Sequence, residues 1–473
     1  MSRYSRSLVW LRRDYRLSDH RALFEACAHS GEVIPVFVID EVLLKGFKNI
    51  RQVQFIQSVL DDLDTRLQER GSRLLVVRGN PAHAIPELAA KLRVQAVFLN
   101  HDYEPMAKLR DAHVERELRK TGVAFHSFKD QVIFERREIL SGGGSPYKVF
   151  TPYSRAWLKA LESNRAEHLK EYRPDLKKLV SKDLIRDRNA RFSELGFPEL
   201  AGGVPSDARA ERKVGEEEAK ALLKRFSKSI ASYKTDRDFP AIEGTSRLSV
   251  HFRFGTISPR QAVRFCAEHM SEGAKTWLNE LIWREFYMMI LDQYPHVEKG
   301  AFKPEYDSLK WEWNREHFKA WCEGRTGFPI VDAAMRQLNE TGWMHNRLRM
   351  IVAMFLTKDL LIHWQEGEKY FAEQLFDHEL SANNGGWQWS ASTGCDAQPY
   401  FRVMNPVSQS ERFDPKGEFI KKWVPELKNL DAKRIHWPHE EGGLFSSGTQ
   451  GYVEPLVDHK EQRLKAIKMF KKD

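Results

Sequence analysis

Cysteine is scarce in this 473-residue chain: there are four, Cys27, Cys266, Cys322 and Cys395, and no two lie close enough for a metal-binding pair. That argues against a disulfide-stapled or zinc-ribbon architecture and suits a reducing, cytoplasmic setting. Long apolar runs are missing as well. Met350–Thr357 is among the longest stretches without charge, far too short to cross a bilayer, so no membrane partner is expected. The N-terminal MSRYSRSLVW has no apolar core of a secretion signal. No G-x-G-x-x-G follows the first strand-like run, so the usual dinucleotide turn is absent. His345 and His363 lack ligand spacing, and no metal site is expected. Internal repeats and low-complexity tracts are absent too.

What the chain does have is positive charge and tryptophan. Lys and Arg number 75 against 66 Asp and Glu, a net charge of +9, which draws phosphates at long range and favours a polyanionic partner. Hydrophobic residues make up 41% of the chain, enough to fill cores, and its length suggests two domains. Strand-like runs at Ser7–Leu11, Val33–Asp40, Leu74–Arg78, Ala96–Asn100 and Val123–Phe128 alternate with amphipathic segments such as Gln54–Glu69 and Lys108–Lys120. This rhythm predicts a doubly wound parallel sheet, an α/β Rossmann-like domain. Arg165–Lys228 is dense in charge and reads as a linker with short helices. After Glu216 the pattern is helical, with Trp277–Met289 and Met344–Trp364 as long periodic segments. The expected division is an α/β domain over 1–131, a linker over 132–215 and an all-α domain over 216–473.

Four constellations could carry chemistry. Glu280, Trp283, Arg284 and Tyr287 recur at i, i+3, i+4 and i+7, which puts them on one helical face. A tryptophan face can stack on a base and a carboxyl group can bond its polar edge, although an amphipathic packing stripe reads equally well. Asn346, Arg349 and Met350 share a second face, with Arg347 beside it. The run from Leu375 to Arg402 holds two consecutive Asn, two Gly and the Trp387/Trp389 pair, expected as an irregular turn where backbone can approach a ligand. Asp377 could pair there with Arg349. Finally, Gly244–Ser249 offers hydroxyls, N–H groups and a cation suited to a pyrophosphate. Thirteen tryptophans could relay an electron, or simply pack.

Seven strings in order, WLRRDYRLSDHRAL, YKVFTPYSRAW, RDFPAIEGTSRLS, WLNELIWREFY, GRTGFPIVDAAMRQLNETGWMHNRLRM, NNGGWQWSASTG and PLVDHKEQR, resemble the photolyase/cryptochrome family nearly end to end. The resemblance is strongest to the class I cyclobutane-dimer photolyases. It implies FAD, active as FADH⁻, with Tyr233, Thr245, Ser246, Arg247, Leu248, Ser249, Trp277, Arg284, Asn346, Arg349, Asp377, His378, Glu379 and Asn383 as flavin residues. Asn383 is implied to face the flavin N5. The implied partner is UV-damaged DNA, single- or double-stranded, whose flipped dimer is met by Arg237, Glu280, Trp283, Tyr287, Arg347, Met350, Trp389 and Arg402. Trp387, Trp364 and Trp311 match a tryptophan relay that reduces oxidised flavin under light. Glu104 matches an antenna-binding acid, implying methenyltetrahydrofolate first and deazaflavin second, although the histidine of folate-binding members is missing near Gly46–Asn49. A second departure is Glu379, where the family usually has Asp. The rival implications are a cryptochrome sensor and a (6-4) photolyase. The repair residues and the single His345 weigh against them. A monomer is expected.

Overall fold

A computed structural model describes residues 2–45, 47–185, 214–439 and 451–471. Gly46 and the 186–213 part of the expected linker lie outside them. The chain forms two compact units: one of Met1–Tyr147, Thr151–Ala231 and Ser246–Gln293, the other of Lys148–Phe150, Ser232–Thr245 and Tyr294–Asp473.

Unit 1 is built on five parallel strands, β1 (Tyr4–Leu11), β2 (Ser30–Asp40), β3 (Leu75–Gly79), β4 (Ala96–Asn100) and β5 (Ala124–Phe128), in the order β3-β2-β1-β4-β5. The reversal of direction at β1 makes it the doubly wound sheet read from the sequence. Helices α1 (Arg21–His29), α2 (Ile50–Gln68), α3 (Pro81–Lys91) and α4 (Pro105–Lys120) are the crossovers. Two are capped by asparagine: the Asn49 side chain accepts from Gln52 N, and the Asn80 side chain from Ala82 N with Pro81 following. Leu8, Ile34, Val36 and Val97 are fully buried in the sheet, as covered parallel strands require. Part of the charge-dense stretch also joins the sheet, where Val180 N donates to Val33 O at 3.0 Å.

The same unit includes α5 (Gly215–Phe226), α6 (Pro259–Glu268) and α7 (Glu272–Gln293). A buried charge cluster ties α6 to the N-terminal motif. Arg260 meets Asp19 at 2.9 Å and Asp130 at 2.7 Å, Arg16 meets Asp130 at 2.5 Å, and Arg264 meets Asp19 at 2.8 Å. Burial alone would raise both carboxyl pKa values; the attraction of Arg260 and Arg16 outweighs it and holds them below the ordinary Asp range. Ser258 caps α6 by accepting from Gln261 N and itself donates to Asp19 at 2.5 Å. Gly255, at φ +61, touches the Arg13 carbonyl so closely that a Cβ would lie 2.1 Å from it.

Unit 2 is helical. Its core gathers Trp321 from α8 (Arg315–Glu323), Val331 and Leu338 from α9 (Pro329–Thr341), Ile351 from α10 (Asn346–Met354), Trp364 and Phe371 from α11 (Trp364–Gln374), Trp387 from α12 (Leu380–Ala391) and Ile420 from α13 (Glu418–Trp423). The terminal helix α14 (His459–Phe470) packs on the segment Phe355–Asp359.

One periodic segment is divided here and one sequence expectation fails. Met344–Trp364 is not one helix: α10 widens into a π turn over Phe355–Asp359, Leu361 takes φ +54, and α11 starts afresh at Trp364. Periodicity continues through because both pieces bury apolar residues in one core. Nor is the Asn-Asn-Gly-Gly run a turn, since α12 passes straight through it. The helix penalty of about 1 kcal/mol per glycine is outweighed by tertiary anchors. Asn384 Nδ2 and Gln388 Nε2 both donate to Val297 O, at 2.9 and 3.1 Å, while Trp387 is buried.

All four cysteines are free thiols; Cys27, Cys266 and Cys395 are buried, and burial pushes every one of the four up to about 12. Among the described residues no helix is long and apolar enough to cross a membrane, and no His/Cys/Asp/Glu group has the arrangement of a metal site.

Candidate functional site

In unit 1 the four residues read from their spacing do share α7, and all are half-buried. Trp283 and Tyr287 form a pair, ring centroids 5.4 Å apart, and Phe286 meets Trp283 edge-on at 5.6 Å. Arg284 donates to Gln131 O at 2.7 Å and Phe252 O at 3.4 Å, so its guanidinium anchors α7 to its own unit. Trp277 is buried edge-on to Phe226 and Phe265. Between these residues sits Glu285, which sequence reasoning passed over. It is fully enclosed and accepts from Ile133 N, from Phe134 N at 3.2 Å and from Trp157 Nε1 at 2.6 Å. Burial still pushes it up to about 7.

Ser246–Ser249 leads into the helical turn Ser249–Arg253. Arg247 adopts φ +57 with its side chain exposed, Leu248 is buried, and Ser249 is exposed at the turn's start. This alternation pins the backbone through Leu248 and leaves polar groups outward on both sides of it. Glu104, the expected antenna acid, accepts from Arg13 at 3.0 Å and Arg253 at 3.1 Å. Any ligand there would share that carboxylate with two cations.

In unit 2, His345 caps α10 by accepting from Arg347 N; Leu348 turns into the core, while Asn346 is exposed and Arg349 and Met350 are half-buried. Arg349 donates through Nε to Met344 O at 2.9 Å and through Nη2 to both oxygens of buried Asp377, at 2.8 and 3.1 Å. The ion pair read from the sequence is therefore present. Arg347 bonds Asp238 at 2.7 Å and lies 4.5 Å over the Phe413 ring. Tyr233 is buried with the Arg237 guanidinium 5.5 Å from its ring centre, and Gly244 lets the chain turn against Asp236 before Thr245. Arg402 is exposed, 3.3 Å from Gln398, apart from these groups in its contacts.

Asp377, His378 and Glu379 lead into α12, with Glu379 buried at its N-cap position. Asn383 donates to Glu368 O at 3.0 Å, and Asn384 donates to the Glu368 carboxylate at 2.9 Å. Burial pushes Glu368 up to about 7. No motif marks Glu368 in the sequence. A lone glutamate in a helix reads as a solvated charge until the neighbouring helix is in place. Trp389 is half-buried, two residues beyond Trp387 and so on another face of α12.

The three tryptophans expected as a relay, Trp387, Trp364 and Trp311, all lie in unit 2. Trp387 is buried edge-on to Phe371, at 5.0 Å, and fits only because residue 367 is glycine: a Cβ there would sit 2.1 Å from the indole. Trp364 is buried, while Trp311 is half-buried and packs against the same core.

With this geometry in hand, comparison with known proteins is decisive. Residues 7–174 match the family described as DNA photolyase, and residues 277–472 match the FAD binding domain of DNA photolyase. The chain is 42% identical over 481 residues to the deoxyribodipyrimidine photo-lyase of Escherichia coli (strain K12), with 98% of both chains covered. The chain belongs to the DNA photolyase family. Among solved structures, a class III photolyase from Agrobacterium tumefaciens superposes with a TM-score of 0.91 at 33% identity, covering 98% of this chain and 97% of the other. An archaeal photolyase from Sulfolobus tokodaii, solved with two FAD molecules, gives 0.81 at 32%, with 98% and 99% covered. A Synechocystis cryptochrome gives 0.87 at 26%, with 99% and 100% covered.

Each unit carries groups of a kind suited to FAD, the cofactor named by the matched family model. In unit 2 Asp377 is a buried carboxylate already neutralised by Arg349 and Asn383 is a buried amide, and in unit 1 the Ser246–Ser249 segment offers hydroxyls and N–H groups of the kind that suit phosphate.

Proposed function

We propose that the chain is a class I photolyase, a light-driven lyase that splits cyclobutane pyrimidine dimers in UV-damaged DNA, single- or double-stranded, with FAD as redox cofactor. The observation that carries this reading is the end-to-end identity with a deoxyribodipyrimidine photo-lyase. The α7 face and the Arg349–Asp377 pair support it at the level of residues.

When bound, FAD would supply light-driven one-electron chemistry, an electron lent to the dimer and recovered once the ring has opened. The chain's own residues position and hold. Trp283 and Trp389 present indole faces on which a flipped-out dimer stacks, and extrusion costs least where damage has already weakened stacking. Glu280 offers a carboxyl group to the dimer's polar edge. Tyr287 in unit 1 and Met350 in unit 2 each offer the dimer an apolar contact, while Arg237, Arg347 and Arg402 attract the phosphodiester backbone. Asp377 keeps the Arg349 guanidinium in place, and the pair would help to hold the flavin. Asn383, with its Nδ2 given to Glu368, offers Oδ1 as an acceptor. Trp277 and Arg284 of unit 1, Arg284 acting through the backbone it anchors, and Tyr233, Asn346, His378 and Glu379 of unit 2 would each contribute to holding the flavin. Trp387, Trp364 and Trp311 pass electrons inward from the surface.

The two FAD molecules of the Sulfolobus relative support a second chromophore; for this chain the reading is an antenna in the α/β unit, methenyltetrahydrofolate first and deazaflavin second, with Glu104 as its acid. The enzyme acts as a cytoplasmic monomer. The likeness to a cryptochrome favours one second reading, a blue-light sensor without repair activity. Blue-light treatment of a dimer-containing oligonucleotide by the purified, chemically reduced protein, with a dark control, decides between them. Light-dependent restoration of adjacent thymines is expected. Intact dimers beside a flavin-loaded protein would overturn the reading in favour of the sensor.

A further inference from the structure

One side chain beside the tryptophan relay has no place in the family's assignments for this chain: His363. It is the N-cap of α11, and its Nδ1 accepts from Gln365 N at 3.2 Å. Its ring lies 5.7 Å from that of Trp364 with the planes 28° apart, and 5.3 Å from that of Trp311 at 65°. The imidazole therefore touches both outer indoles, stacked on one and edge-on to the other. The backbone fixes this arrangement from the other side, because Glu312 N donates to Leu361 O at 2.8 Å and Glu312 pairs with Ile362 in a parallel bridge. Trp311 is thus delivered next to His363 by a main-chain contact, and Phe470 of α14 closes over it edge-on at 6.2 Å.

We propose that His363 is a positioning residue of light-driven flavin reduction: its neutral imidazole, held by the α11 cap, seats Trp311 against Trp364 and keeps the outer step of the relay open. The proposal rests on the relay reading above. In the outer step one electron passes from Trp311 to oxidised Trp364, restoring Trp364 and leaving the positive charge on Trp311. The primary oxidant is the light-excited oxidised flavin.

Two features require the neutral ring. An Nδ1 that accepts from Gln365 N carries no proton, so the uncharged imidazole bears its hydrogen on Nε2. Protonation at Nδ1 removes the cap, and it also sets a cation beside Trp311, where positive charge must arrive. Burial disfavours the charged ring and lowers its pKa below the ordinary histidine value, against the pull of Glu366 on its own helix and of Asp307. Other titratable groups on neighbouring segments include Lys310 and Glu312, flanking Trp311, Lys465 and Lys468 on α14, and two on the π turn: Lys358, which burial pushes down to about 7, and Asp359, which burial pushes up to about 6 although it is paired with His459 of α14 at 2.5 Å.

The test is transient absorption of flavin photoreduction in the holoprotein with oxidised flavin, across about pH 8 to pH 5. Wild type should lose photoreduction at the acid end of this range. His363→Phe, which keeps an aromatic ring but cannot titrate, should photoreduce independently of pH over the same interval. His363→Asn keeps a cap acceptor but removes the ring, and should slow the appearance of the Trp311 radical about tenfold at every pH. Thermal unfolding of each variant separates these effects from misfolding, and His363→Gln serves if the phenylalanine variant fails to fold. Equal pH dependence in wild type and His363→Phe, or wild-type radical kinetics in His363→Asn, overturns the proposal. Trp387→Phe reports on the relay itself: normal photoreduction in that variant would overturn the relay reading instead.

Discussion

Arg349 is gripped at two edges, by the Met344 carbonyl and by both oxygens of Asp377, and this is what gives the second constellation its rigidity. Asp377→Asn leaves a partly enclosed guanidinium without its counter-charge, so we expect about 2–3 kcal/mol of lost stability, below the figure for a fully buried pair because Arg349 reaches solvent. Urea unfolding measures it, and flavin absorbance of the purified variant should fall as well. Glu280→Ala acts differently. It should keep flavin and DNA binding but lower the repair quantum yield; an unchanged yield would remove the carboxylate from the mechanism. At this scale the sequence was legible where spacing placed side chains together, as with Glu280, Trp283 and Tyr287. It was silent on Glu285 and Glu368. Their importance comes from segments outside their own helices, the loop of Ile133 and Phe134 together with Trp157 for Glu285 and α12 for Glu368, and no local pattern distinguishes an enclosed glutamate from a solvated one.

Elements show where local signals lose to packing. The Asn-Asn-Gly-Gly run carries every mark of a turn, yet α12 holds because Asn384 and Gln388 reach Val297 and Trp387 fills the core. Gly367 is the counterpart on α11. We expect Gly367→Ala to displace the Trp387 ring, to cost about 1–3 kcal/mol of stability in urea unfolding, and to slow flavin photoreduction. The sheet, by contrast, was readable to within a few residues at each strand, because strands buried on both faces are continuous apolar runs. The N-terminal motif hid its role: Arg16 and Asp19 look like surface charges, but with Asp130, Arg260 and Arg264 they bind α6 to the sheet unit. Asp19 and Asp130 have folded pKa values below the unfolded one near 3.9. Their stabilisation is complete above that value and is lost as pH falls through it toward the folded ones. Denaturant midpoints should therefore drop from pH 6 to pH 3, and Asp130→Asn, expected to cost about 3 kcal/mol, should flatten that slope.

For the whole molecule, the +9 charge sets the terms of DNA binding. If about six phosphates are neutralised, affinity for dimer-free duplex should fall about a thousandfold between 50 and 200 mM salt, measured by fluorescence anisotropy, while dimer-containing DNA keeps its advantage because the flipped base contacts are not ionic. A salt-independent affinity would argue against the basic surface as the docking element. The four thiols bear on how such searching can be watched. Each is held near a pKa of about 12, and three are buried, so at neutral pH almost none is in the reactive thiolate form. One cysteine introduced on the surface would then be the preferred attachment point for a maleimide dye. Individual molecules could be tracked along stretched DNA without first replacing any natural cysteine.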